Sequence, residues 1–379
     1  MRGARDQSES GGRARSWPAP ARAELLAIAG VTGLALVLRA IALGDGMYGD
    51  ELITVDDTRS DLAGVFDGLE RNEINPPLFY LLAWGAKHLG DAVSLLRLPS
   101  VVLGTAVVPV VWGLGRRLAG PRVGLLAAGL VALSPFAIFY ATEARAYASV
   151  MFFVALSSFA LLRAVESERN TLWWVVYGVA TLCAIYTHYT SIYVVLGLVA
   201  WAAVVHRDRV RRLAVVLALV ALAYLPWVPA LLEQRENDLF VAIVGLGFKL
   251  TPNSVFESLG RLVGGHPFVP LAAVPGRAWL VALAATAASI AALGLGRKLR
   301  APDVNAARAE VAFVAILAFA TPVGLLAYTL ISSDLYVPRN LTVARSSTSR
   351  TRARCTATAT RCPSPPTPRC STTSSSWPP

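Results

Sequence analysis

The sequence predicts an all-α, polytopic helical membrane protein with about nine transmembrane helices, and three observations carry that expectation. Of its 379 residues, 55% are hydrophobic and only 16% charged, whereas ordinary soluble domains carry charge at about a quarter of positions. Apolar runs of roughly 20 residues recur along the chain, long enough to cross about 30 Å of hydrocarbon as helices that satisfy their own backbone amides. Arginines and lysines gather in every second connection between those runs, the pattern of the positive-inside rule.

In chain order, residues 1–23 are basic and rich in Gly, Ser, Arg and Pro, and read as a disordered cytoplasmic tail. No small-residue cleavage site follows a short apolar core, so the first run is expected to remain as a span. The spans are expected at about 24–43, 93–115, 123–141, 146–163, 172–187, 190–205, 212–232, 277–296 and 310–331, within a transmembrane domain over 24–345. Arg116, Arg117 and Arg122 fill one short connection, and Arg163 and Arg169 the next but one. Arg207, Arg209, Arg211 and Arg212 follow, then Arg297, Lys298, Arg300 and Arg308. These connections share the cytoplasmic side with the N-terminus of a multi-pass protein of the cell membrane, and the alternate loops face outward. The net charge of +11 is thus distributed over span ends rather than a soluble module, which argues against a nucleic-acid partner and for membrane lipids as neighbours.

Two outward loops are long, 44–92 and 233–276. In the first, the apolar run from Pro76 to Leu89 is too short to span and reads as an interfacial helix with Pro76 and Pro77 in its first turn. Residues 346–379 switch abruptly to Ser, Thr, Arg, Pro, Ala and Cys, a composition that buries no core and is expected to be disordered. That tail reads as a GC-rich message translated out of frame. It holds Cys355, Cys362 and Cys370; Cys183 lies inside a span as a small buried hydrophobe. No His/Cys cluster has metal-ligand spacing. The outer acids could bind a divalent cation but form no complete ligand set.

The candidate functional residues converge on the outward side. Asp50 and Glu51 follow the first span; as sequence neighbours their side chains diverge, so they read either as solvated loop acids or as two groups with separate partners. Glu73 and Asn75 precede the interfacial helix, where backbone amides favour an anion and Asn75 could cap. Arg97 begins the second span on the side where the rule disfavours cations, and either snorkels to headgroups or grips a lipid phosphate. Glu143 and Arg145 sit near the hydrocarbon boundary in SPFAIFYATEARAYASV, as an ion pair or a functional pair. His188 in THYTS is a polar turn or a weak site candidate, and Arg339 in DLYVPRNL brings a late outward cation. A carboxylate base beside phosphate-binding arginines at a membrane surface suits transfer from a lipid phosphate: the acceptor hydroxyl yields its proton to the carboxylate and arginines stabilise the departing phosphate.

GDE after the first span, NEINPPLFYLLAW, RLPS, SPFAIFYATEARAY and a late PRNL together resemble the bacterial relatives of protein O-mannosyltransferases and lipid A aminoarabinose transferases, of glycosyltransferase family 39 and its neighbours. The resemblance covers roughly residues 24–345. It implies the GT-C membrane fold and an inverting transferase that takes a sugar from a polyprenyl-phosphate donor to a lipid, glycan or protein acceptor. It further implies that Asp50, with Glu51 beside it, is the catalytic base, that Arg97, Glu143 and Arg145 match family polar positions, and that Arg339 lies near the carrier phosphate. Family members usually continue past the PRNL position with further spans. A flippase of lipid-linked sugars, an inactive truncated transferase and a non-catalytic scaffold are the competing readings.

Overall fold

A computed structural model of the chain describes residues 19–236 apart from 45, 48, 91 and 167–170, the helix over 305–325, and isolated positions between 278 and 328. Among the described residues every regular element is helical. In order these are α1 (Arg22–Ala40), α2 (Glu51–Asp57), α3 (Leu62–Asn72), α4 (Leu78–Lys87), α5 (Leu98–Ala119), α6 (Pro121–Leu133), α7 (Pro135–Ala141) and α8 (Tyr147–Glu166). There follow α9 (Thr171–Thr187), α10 (Ser191–Val205), α11 (Val210–Tyr224), α12 (Val228–Glu236) and α13 (Asn305–Leu325). Met1–Pro322 form one compact unit; of Val323–Pro379, the described residues are the last three of α13 with Ala327 and Tyr328.

Among the described residues, five stretches are long and apolar enough to cross a membrane: α1, Val93–Ala119, α8, Arg207–Gln234 and α13. The chain is a polytopic membrane protein. The expected span over 123–141 is not one rod: α6 and α7 meet at a 58° bend. Pro135 supplies no N–H to the carbonyl four residues back, so the ladder breaks there, and Ser134 restarts it by accepting from the Ala137 amide at 3.3 Å. The break exposes carbonyls of α6, and Arg39 from the last turn of α1 donates to Val131 and Ala132 O at 3.2 Å each. A cation at a helix C-terminus is favourable, and here it satisfies groups that lipid could not. Arg39 is fully buried, a role the sequence analysis did not foresee.

α9 and α10 have 17 and 15 residues, about 25 and 22 Å of helix, so they require local thinning or polar flanks if each crosses. The span expected over 212–232 lies inside the longer rod Arg207–Gln234, which passes through a 3₁₀ turn at Leu225–Trp227. The span expected at 277–296, nearly all of the second long loop beyond Glu236, Arg339 and the tail fall outside the described residues.

Close helix approach rests on small residues, as expected where lipid competes for apolar contact. A Cβ on Gly124 of α6 would lie 2.7 Å from Trp112 O of α5, so only glycine fits there. Three apolar clusters organise the bundle. One joins α1, α5 and α6; a larger one joins α5, α8, α9, α10, α11 and α13 around Trp174, Tyr177, Trp201 and Phe313. The third, around Val65, Leu69, Phe79, Tyr80 and Trp227, seats α3 and α4 beneath the loop that carries the site.

The two ends of the bundle differ in their charges. At one end Arg116 pairs with Glu24 at 2.8 Å, and Arg117 binds both Glu166 and, at 3.5 Å, Glu310. Trp201 Nε1 donates to Ala309 O at 2.7 Å, bringing the end of α10 to the same place. The connections that the charge pattern grouped together therefore lie together in space. The opposite end carries the candidate site.

Candidate functional site

The site is built on two buried ion pairs that tie the first loop to the spans. Arg97, at the start of the second span, grips Glu51 with two parallel bonds: Nε to Oε1 at 2.8 Å and Nη2 to Oε2 at 2.7 Å. Nη2 also donates to Gly46 O at 3.1 Å and Nη1 to Leu43 O at 3.4 Å, while Glu51 Oε1 accepts from the Ala144 amide at 2.7 Å. Both side chains are at most 2% exposed. This is the fork geometry that arginine alone provides.

Arg145 pairs with Glu73, and its Nη1 also reaches Asp50 O at 3.5 Å. Glu73 is held further by Asn75 Nδ2 at 3.0 Å and by the Ile74 amide at 3.2 Å. Asn75 therefore orients a carboxylate instead of capping α4, whose N-cap is Pro77. The expectation that Glu143 and Arg145 might form a mutual ion pair gives way to this one, because Arg145 turns toward the first loop. Its carbonyl accepts from Ser100 Oγ at 3.1 Å, and Ala144 O accepts from Thr54 Oγ1 at 2.9 Å. The tripeptide Glu143–Arg145 is thus laced to α2 and α5 from both sides.

Asp50 differs from its neighbour. Gly49, with φ 57, turns the chain into α2, a left-handed conformation that glycine adopts without penalty. Asp50 then stands exposed at the N-cap of α2, its side chain making no cap bond. At the other end of α2, Lys87 Nζ donates to the carbonyls of Thr58, Arg59 and Ser60, the latter two at 3.2 Å, and Trp84 Nε1 to Ser60 O at 3.1 Å. α2 is clamped at both ends, which fixes where Asp50 can point. Neither Lys87 nor Trp84 was singled out in the sequence; a lone Lys in an apolar interfacial run was the available signal.

Glu143 is 9% exposed. Burial, then the neighbouring carboxylates Glu51 and Asp50, push its carboxyl up to about 7, with Arg145 and Arg97 pulling the other way. The folded chain thus binds this proton more tightly than the unfolded chain. Stability from this group is complete below the ordinary carboxylate range and is lost as pH rises from about 4.5 to about 7. Thermal unfolding in detergent should show that slope in the wild type and not in Glu143→Gln. A slope of equal size in the variant would place the titration elsewhere.

His188 lies between α9 and α10. Thr190 donates its backbone N–H to Nδ1 at 3.3 Å, and its Oγ1 sits 2.9 Å from the same nitrogen. Burial, followed by the Arg145 charge, pulls the imidazole down to about 4, with Glu73 opposing. Next in sequence, Tyr189 OH donates to Gln234 Oε1 at 2.6 Å and accepts from Trp227 Nε1 at 3.0 Å. Gln234 Nε2 donates to Leu69 O at 2.9 Å and Asn75 O at 3.3 Å. A hydrogen-bonded path therefore joins α12 to the Glu73–Arg145 pair. Gln234 carries no pattern that would single it out in sequence.

The structure thus gathers Glu51, Glu73, Arg97, Glu143, Arg145 and His188 with Asp50 at one end of the bundle. Arg339 lies outside the described residues. Among the described residues, no three His, Cys, Asp or Glu side chains converge as a metal-ligand set. The described residues also enclose two apolar cavities. One of about 560 Å³ is lined by Phe66, Pro77, Leu81, Tyr186 and Trp227; the other, of about 650 Å³, lies among α5, α6 and α8 and reaches the start of α7 at Phe136 and Ala137.

Residues 75–250 match the family model of dolichyl-phosphate-mannose-protein mannosyltransferases. No curated protein matches the chain. Among solved structures, the S. cerevisiae protein O-mannosyltransferase Pmt1–Pmt2 complex bound to the sugar donor matches with a TM-score of 0.39 and 18% identity, over 61% of this chain. The chain spans 34% of that neighbour's length. The matched segment holds Asn75, Arg97, Glu143, Arg145 and His188. It begins after Asp50, Glu51 and Glu73, yet Arg97 and Arg145 inside it bind Glu51 and Glu73 outside it.

Proposed function

We propose that the chain is an inverting membrane glycosyltransferase, moving a sugar from a polyprenyl-phosphate carrier to an acceptor hydroxyl at the outer face of the cell membrane. The observation that supports this best is the contrast among the acids. Glu51 and Glu73 are each neutralised by a buried arginine, and the scaffold so formed holds Asp50 exposed at its surface.

In this reading Asp50 is the base. The acceptor hydroxyl oxygen attacks the anomeric carbon from the face opposite the phosphate, and its proton passes to the Asp50 carboxylate. The bond from the anomeric carbon to the phosphate oxygen breaks, its electron pair stays on the phosphate, and configuration inverts. Arg145 meets Glu73 and Asp50 O through Nη1, which leaves the donors on Nη2 and Nε to meet that developing charge. Arg97 directs Nε, Nη1 and Nη2 to Glu51 and backbone carbonyls, and acts as a positioning residue. Arg339 is carried as a further phosphate contact. The cavity among α5, α6 and α8 has the apolar lining a polyprenyl chain requires, and it reaches the start of α7, the helix that leads to Glu143.

The flippase reading uses the same spans and arginines. It calls for charged or broken helices near the midplane; the α6–α7 break beside Arg39 is one such feature, whereas the ion pairs among the described residues lie at span ends. Reconstitution with a radiolabelled polyprenyl-phosphate sugar separates the two. The transferase reading expects cleavage of the sugar–phosphate bond and no movement of intact lipid between leaflets. Intact donor appearing in the opposite leaflet, without cleavage, would favour the flippase.

A further inference from the structure

We infer that the aromatic row Tyr140, Tyr147 and His188 is the subsite for the transferred sugar, binding an uncharged pyranose with its C–H face on Tyr147 and one hydroxyl accepting the Nε2–H of His188. This rests on the transferase reading above and adds to it the part of the site that recognises the sugar.

The geometry starts with the ring pairs. Tyr140 and Tyr147 pack with centroids 4.6 Å apart, and Tyr147 and His188 with centroids 6.0 Å apart. Phe136 and Phe139 support Tyr140 from behind at 4.7 and 5.3 Å. All three members of the row are partly exposed in a region where their neighbours Ala141, Glu143, Arg145 and Thr187 are buried. The row also lies beside the chemistry: Tyr147 is within electrostatic reach of Arg145, Asp50, Glu143 and Glu73.

The tautomer of His188 follows from its turn. A backbone N–H can only donate, so Nδ1, which meets the Thr190 amide, must be the acceptor and the ring proton sits on Nε2. The Thr190 hydroxyl on the same nitrogen adds to this. His188 thus presents one fixed, uncharged donor next to aromatic faces. Such a combination of apolar walls and a few oriented polar groups is what a small-ligand pocket uses for orientation, and tyrosine offers both an apolar face and a polar tip. A phosphate would instead call for a cation, which Arg145 supplies nearby.

The test uses the full chain in nanodiscs, with polyprenyl-phosphate mannose and its 2-, 3-, 4- and 6-deoxy analogues as donors, for wild type, His188→Phe and His188→Gln. Wild type should lose about tenfold in kcat/KM on one analogue, the scale of a single neutral hydrogen bond. His188→Phe should lose about tenfold on mannose and nothing further on that analogue. His188→Gln, whose amide nitrogen can stand where Nε2 stood, should recover most of the loss. A wild type indifferent to every deoxy analogue overturns the inference without recourse to a variant, as does a His188→Phe loss equal on all donors. If the folded wild type cleaves no polyprenyl-phosphate sugar at all, the transferase reading fails and this subsite with it; if it cleaves them and only the His188 pattern is missing, the subsite alone fails.

Discussion

Replacing Asp50 with asparagine is expected to lower turnover by about 10²- to 10⁴-fold, the range contributed by a positioned general base, with little change in donor affinity or thermal stability. The physical basis is the exposure of Asp50. Its side chain makes no cap bond on α2, so asparagine leaves no buried partner unsatisfied. What asparagine cannot do is accept the hydroxyl proton. Measuring kcat and KM separately checks this, since loss of a base acts on the transition state and leaves ground-state binding intact. Unchanged turnover in Asp50→Asn would remove Asp50 from the chemistry and make Glu143, its carboxyl pushed up to about 7 by burial and its acidic neighbours, the next carboxylate to test.

The second large effect is on folding. Arg97→Met should destabilise the protein by about 3–5 kcal/mol, because it strands Glu51 as an uncompensated charge in a dry site. Glu51 is 1% exposed, and water cannot replace the lost partner. Removing both charges in Glu51→Gln/Arg97→Met should recover more than half of the loss, since a buried pair is costly to break but cheap to replace as a whole. Arg97→Lys should not rescue: an ammonium cannot make the two parallel bonds to Glu51 and also reach the carbonyls of Leu43 and Gly46. Unfolding temperatures in detergent measure all three. If the double variant is no more stable than Arg97→Met, the Ala144 amide and the carbonyl contacts carry the energy and the ion pair does not.

The helical class and the sidedness of the charges were legible in sequence because both follow from one-dimensional patterns: apolar run length and the parity of basic connections. The same parity puts Arg116, Arg117, Glu166 and Glu310 together at one end. The site was legible as a set of residues but not as a set of partners. Glu51 and Arg97 stand 46 residues apart, and Glu73 and Arg145 72 apart; separations of that size carry no periodic signature. The alternative that Glu143 would pair with Arg145 came from adjacency, whereas the chain turns between them so that Ala144 can meet Glu51 and Thr54. The break in the third span was written in Ser134–Pro135, and the overall hydropathy of 123–141 concealed it. Arg39 was visible as a cation inside an apolar run, but its carbonyl partners exist only because of that break.

The most direct measurement is the appearance of free polyprenyl phosphate when the purified, folded chain is offered a panel of radiolabelled polyprenyl-phosphate sugars together with lipid, glycan and peptide acceptors. The account predicts that at least one donor is cleaved, that its sugar appears on an acceptor with inverted configuration, and that Asp50→Asn slows both by about 10²- to 10⁴-fold. Cleavage of no donor in the panel by protein that unfolds cooperatively on heating would contradict it.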